Sequence, residues 1–171
     1  MTAPSTVPGP APASGRVKSI SRFNRFMVRL MSSPLAGLAG GNVVLIRYKG
    51  HTSGLDRALP VNAWNYENGL LIRVGRPEQK SWWRNFRTAW PIEIVRRGRV
   101  TKGTGLAVDG GTERGRQIAA DYFSTHRGAA KRAGLPRLPK RQRRTLEEVA
   151  DAAKSMVFVV VTPEAAANPE K

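Results

Sequence analysis

The chain contains no cysteine. That excludes a disulfide framework and every thiolate metal site, and it makes the protein tolerant of a reducing compartment. Histidine is almost as scarce. His51 and His126 stand apart with no partner at ligand spacing, so no metal centre is expected. No apolar run approaches the roughly 20 residues that a membrane-spanning helix needs. The segment Met1–Ser14 has no charged side chain and is rich in Pro, Ala, Ser and Thr. It lacks the basic start and apolar centre of a signal peptide, so it is expected to be a disordered tail. No Gly-x-Gly-x-x-Gly sits between a strand and a helix, which sets aside a dinucleotide-binding parallel sheet. Acidic residues are few as well: 12 against 29 basic, a formal net charge of +17.

What is present bounds the answer from the other side. The 171 residues suffice for one ordinary core and not for two. A hydrophobic fraction of 40% with four Trp excludes general disorder. The cationic excess attracts polyanions: nucleic acid, anionic lipid or a polyanionic small molecule. Arg supplies most of it, and Arg is the better fork for phosphate and carboxylate. A GC-biased genome also enriches Arg, so the excess alone assigns no partner.

Residues 1–15 and 166–171 are expected to be tails around one domain spanning 16–165. From Arg16 to Ser33, the apolar residues Val17, Ile20, Phe23, Phe26, Met27, Leu30 and Met31 recur at three- and four-residue steps. Arg and Lys fill the gaps, giving an amphipathic helix with a cationic face. Such a helix either caps the core or lies in an anionic membrane interface. Strands are expected at Val43–Lys49, Arg57–Trp64, Leu70–Val74, Ile92–Arg96, Arg99–Val108 and Met156–Val161. Pro60 argues for an edge position or a bulge in the second. Helices are expected over Lys80–Thr88, from Thr112 as N-cap to about Ser124, and from a capping box beginning at Thr145. Hairpin links imply antiparallel pairing, and closing the sheet into a barrel removes its edges. The fold class is therefore α+β, six strands, mostly antiparallel, with flanking helices.

Two constellations could carry chemistry. Gly50-His51-Thr52-Ser53-Gly54 is a polar hairpin turn whose glycines let the backbone approach an anion and whose hydroxyls can donate to phosphate. Arg57 can return toward it as a fork. Farther on, Arg73, Arg76, Lys80, Arg84 and Arg87 crowd into 15 residues, offset only by Glu78. On a helix Lys80 and Arg84 would share a face, and an anionic ligand would relieve their repulsion. Trp82 and Trp83 cannot point the same way on that helix, so one is expected in the core and the other beside a ligand. Asn85 could present an amide to a ring edge. A solvated basic helix with a core tryptophan would give the same pattern.

The stretch Leu45 to about Val108 resembles the deazaflavin-dependent nitroreductase and quinone reductase family of actinobacteria. The resemblance rests on Gly50-x-x-Ser53-Gly54-x-x-Arg57, on Leu59-Pro60-Val61, and on Val74-Gly75-Arg76-Pro77 followed by Lys80-Ser81-Trp82-Trp83-Arg84-Asn85-Phe86. It implies a split β-barrel and a bound coenzyme F420, whose tail carries a phosphate and several glutamates. It also implies hydride transfer from the reduced cofactor to a quinone, nitro or other electron-poor acceptor. Gly50, His51, Thr52, Ser53, Gly54 and Arg57 would lie by the tail. Val74, Gly75, Arg76 and Lys80 would line the polar edge and phosphate, and Trp82, Trp83 and Asn85 the ring side. Members often have Arg-Lys where this chain has His51-Thr52. The aromatic substrate segment of some members is represented only by Tyr122 and Phe123, followed by a basic stretch from His126 to Arg144.

Such chemistry needs no protein nucleophile or metal, so no catalytic side chain is assigned. The resemblance implies a cytoplasmic reductase, and the helix Arg16–Ser33 suggests peripheral contact with the inner face of the membrane. An FMN-binding split barrel is one alternative. A non-enzymatic module for anionic membrane or nucleic acid is another, supported by Lys131–Arg144, although nucleic acid is not the expected partner.

Overall fold

The computed structural model describes residues 42–139 and 142–164. The helix expected over Arg16–Ser33, the membrane contact assigned to it, both tails, and Lys140 and Arg141 lie outside the described residues.

Runs rich in β-branched side chains form six strands: β1 Val43–Lys49, β2 Asp56–Tyr66, β3 Gly69–Val74, β4 Trp90–Arg96, β5 Arg99–Asp109 and β6 Val157–Pro163. They close into a barrel in the order β1-β2-β3-β6-β5-β4, every neighbouring pair antiparallel. The α+β class is as expected. The seam between β1 and β4 is short, Leu45–Arg47 against Glu93–Val95. Strand β2 divides its partners: β1 takes Asp56–Asn62, and β3 takes Ala63–Tyr66. Pro60 falls in the first stretch, opposite Leu45, where β3 needs no N–H from it.

Alternation along the strands sorts the apolar side chains into two clusters. Val44, Ile46 and Tyr48 of β1 join Ile72 and Val74 of β3 and Val157, Val159 and Val161 of β6 around Phe86, filling the barrel. Phe158 and Val160 of β6 face outward and are covered by α1 (Glu113–Thr125) and α3 (Leu146–Ala153). Being buried on both faces explains why β6 reads as an unbroken apolar run. Each fully buried Phe or Ile of these clusters contributes roughly 2 kcal/mol.

Both helix starts are capped as the sequence suggests. Thr112 Oγ1 accepts from Gly115 N at 3.0 Å, and Thr145 forms a complete capping box with Glu148. Ala119 of α1 and Ala153 of α3 are fully buried and let the helices approach closely. Gly115 is required at the turn into α1: a Cβ there would meet the Asp109 carbonyl and come 2.6 Å from Gly110 Cα. A short helix, α2 (Arg127–Arg132), follows α1 where only a basic stretch was expected.

The helix expected over Lys80–Thr88 is instead a 3-10 turn, Trp82–Phe86. Its backbone bonds are three-residue ones: Arg84 N donates to Ser81 O at 3.1 Å and Arg87 N to Arg84 O at 3.4 Å, while the Asn85 side-chain amide donates to Trp82 O at 2.7 Å. Phe86 is drawn fully into the barrel and lies so close to β5 that a Cβ on Gly105 would come 2.7 Å from Phe86 Cδ1.

Candidate functional site at one barrel end

The β1–β2 turn, the end of β3, the 3-10 turn and the start of β4 all lie at the same end of the barrel. The turn is closed by two backbone hydrogen bonds. Gly50 N donates to Leu55 O at 2.9 Å, and Gly54 N returns to Gly50 O at 2.8 Å. Gly54 has φ +62°, the left-handed region that glycine takes without strain. A Cβ on Gly50 would meet Ser53 Oγ, which would have to rotate away. His51, Thr52 and Ser53 are left exposed at the tip.

One bond joins the two constellations. The His51 backbone N–H donates to Asn85 Oδ1 at 2.8 Å, across 34 residues of sequence. The opposite end of the Asn85 amide is held by Trp82 O, which fixes its orientation. Lys80 Nζ lies 3.8 Å from where a Cβ on Gly75 would sit, which places the ammonium beside the end of β3. Val74 is buried at the end of β3, and Arg76 follows in the left-handed region at φ +52°. Gly50, His51, Val74, Gly75, Lys80, Trp82, Trp83 and Asn85 are thus gathered at one barrel end.

The indoles depart from the expectation of one in and one out. Trp82 and Trp83 both pack, partly buried, against the interior cluster. Trp83 Nε1 donates to Pro77 O at 3.0 Å, and the Arg84 and Arg87 guanidiniums lie 5.8 Å and 5.5 Å from its ring centroid. A 3-10 turn has three residues per turn, so Arg84 and Arg87 share a face rather than Lys80 and Arg84. Cation–π contact offsets part of the repulsion between these two arginines.

Trp90 belongs to the site and was missed in the sequence. Its ring lies over the His51 imidazole at 4.3 Å between centroids, and its Nε1 donates to Lys49 O at 2.6 Å. The signal was an indole directly before Pro91 at the mouth of a strand. Trp90 also borders a cavity of about 580 Å³ shared with Tyr48 and Arg57. Of the residues expected to hold a cofactor, Arg57 alone is among those lining it. Burial pushes the Tyr48 phenol above its ordinary value of 10.0, while the nearby Arg57 charge pulls it down.

The electrostatics of this end are one-sided. Among the described residues the ion pairs are Lys49–Asp56, Arg143–Asp121 and Lys154–Asp151. None of them occupies Arg57, Arg76, Lys80, Arg84 or Arg87. These donors and cations can accept a phosphate or carboxylates and would hold a planar group beside Trp82, Trp83 and Trp90. Among the described residues, no group of three or more His, Asp or Glu could hold a metal ion. No described helix is long and apolar enough to cross a membrane.

Tyr122 and Phe123, the expected substrate residues, belong to the other cluster, on the outside of the barrel. They are only 5% and 4% exposed. Tyr122 stacks on His126 at 4.4 Å and meets Trp64 edge-on at 5.4 Å. The structure does not gather them with the turn residues.

No protein-family model matches the chain, and no curated protein matches it. Among solved structures, the chain is similar to a heme storage protein from Vibrio cholerae, at 9% identity and a TM-score of 0.44, covering 83% of this chain and 91% of that one. It is similar to an FAD-binding protein from Mesorhizobium loti, at 12% identity and a TM-score of 0.41, covering 85% and 91%. A reductase dependent on reduced F420 is similar at 17% identity and a TM-score of 0.35, covering 70% and 93%. Likenesses at this level carry no argument about family, cofactor or reaction.

Proposed function

We propose that this barrel end holds a flavin-type cofactor with an anionic tail, F420 in preference to FMN, and that the protein is an oxidoreductase. The observation that carries the reading is the His51 N–H to Asn85 Oδ1 bond of 2.8 Å. It makes one surface of two cation- and donor-bearing segments that resemble the F420 reductases in sequence. Thr52, Ser53 and Arg57 are suited to the tail, Arg76 and Lys80 to the phosphate, and Asn85 with Trp82 and Trp83 to the ring edge. When bound, reduced F420 supplies a hydride to a quinone, nitro or other electron-poor acceptor. The chain's own part is orientation, charge compensation and exclusion of water.

Titration of the purified protein with F420 tests this through the cofactor's own fluorescence. A saturable change at low salt, weakening as salt rises and stronger than for FMN, is the expected result. Absence of any saturable change with F420 at low salt would overturn it, and tighter binding of FMN would reassign the cofactor.

A further inference from the structure

Away from this barrel end, a cavity of about 950 Å³ opens between the β2–β3 hairpin, the end of α1, α2 and residues 135–139 and 142–144. It is near the upper end of the usual range for small-molecule sites. Phe123, Leu135, Pro136 and Leu138 give it an apolar lining. Its charges are unbalanced: Arg127, Lys131, Arg137, Arg143 and Arg144 line it against Glu67 and Asp121. Asp121 is already taken by Arg143 at 3.1 Å.

Arg144 is the unusual member. It is only 7% exposed, yet no carboxylate pairs with it among the described residues. Its Nη2 donates to Pro136 O at 2.6 Å and its backbone N to Ser124 Oγ at 2.9 Å. Nε and Nη1 are sealed from solvent without an acceptor among the described residues. A buried cation without a counter-charge costs several kcal/mol, and its field reaches the cavity through protein rather than water. An anion inside the cavity would supply the missing charge, while the apolar walls would take up a hydrocarbon or aromatic body.

We propose that this cavity is a second binding site, for a small amphipathic anion with a carboxylate-type head and an apolar body. The inference does not rest on the cofactor reading. Calorimetric titration with dodecanoate below its micelle concentration, at low salt, tests it. One site per chain is expected, with dodecyltrimethylammonium binding at least tenfold more weakly. Lys131 and Arg137 are exposed, so K131E/R137E is expected to retain the fold and to weaken dodecanoate at least tenfold without altering F420 titration. K80E/R84E changes net charge by the same amount at the barrel end and is expected to leave dodecanoate unaffected. Equal binding of the two surfactants, or equal weakening by both double variants, would overturn the site and leave only general attraction to a basic surface.

Discussion

Replacing Asn85 by Ala removes both hydrogen bonds of its amide, the 2.8 Å bond from His51 N and the 2.7 Å bond to Trp82 O. Each is worth roughly 1 kcal/mol net, and a partly buried group left unmatched adds to the loss. The expected destabilisation is therefore about 2 kcal/mol, or about 4–8 °C in Tm for a chain of this size. Asn85→Asp separates the two bonds. A carboxylate still accepts from His51 N but cannot donate to Trp82 O, so it should lose roughly half as much. In F420 binding the order should reverse, because a carboxylate at position 85 adds negative charge beside a polyanionic cofactor whereas Ala does not. Urea or thermal unfolding gives one ranking and cofactor fluorescence the other. N85A as stable as the parent would refute the coupling of the two bends, and the same ranking in both assays would refute the placement of the anionic ligand.

Gly105→Ala should destabilise by about 1–3 kcal/mol, because its Cβ would come 2.7 Å from Phe86 Cδ1, and adding Phe86→Leu should recover part of that loss in unfolding experiments. Phe86→Ala alone, from a fully buried position, should cost about 3–5 kcal/mol. Thr145→Ala breaks the capping box of α3 and should cost about 1 kcal/mol by the same measurement. Burial raises the phenols of Tyr48 and Tyr66 above 10.0, with Asp121 and Glu67 adding to the second. Above pH 10 the unfolded chain then releases protons that the native chain keeps, so stability is full below that pH and falls as pH rises beyond it. The urea midpoint should drop between about pH 9 and about pH 11, and less steeply in Y48F/Y66F.

The strands were legible because hydrophobic alternation and hairpin residues repeat at short range, and their boundaries moved by only a residue or two. Val43–Lys49 is as expected, while Arg57–Trp64 gained Asp56 and two residues to Tyr66. Strand β6 was legible for another reason: burial on both faces leaves no polar position in Val157–Val161. The segment after β3 was misread because its length and charge pattern suit an α-helix, whereas it forms a 3-10 turn whose last residue, Phe86, seats on Gly105 about 20 residues later. Trp90 was passed over because its role depends on Lys49 and His51, about 40 residues earlier. Arg144 was counted with a basic stretch, whereas in the structure it is buried and bonded to Ser124 and Pro136. Charge type could be read from the sequence; its burial could not.

The most direct test follows the amides of His51–Gly54 and the indole N–H signals of Trp82, Trp83 and Trp90 by NMR as F420 is added. Both groups of signals should move together with one dissociation constant, while the amides of Arg127–Lys131 stay still. Movement of one group alone, or movement confined to the region around Arg144, would contradict a cofactor seated across the two bends.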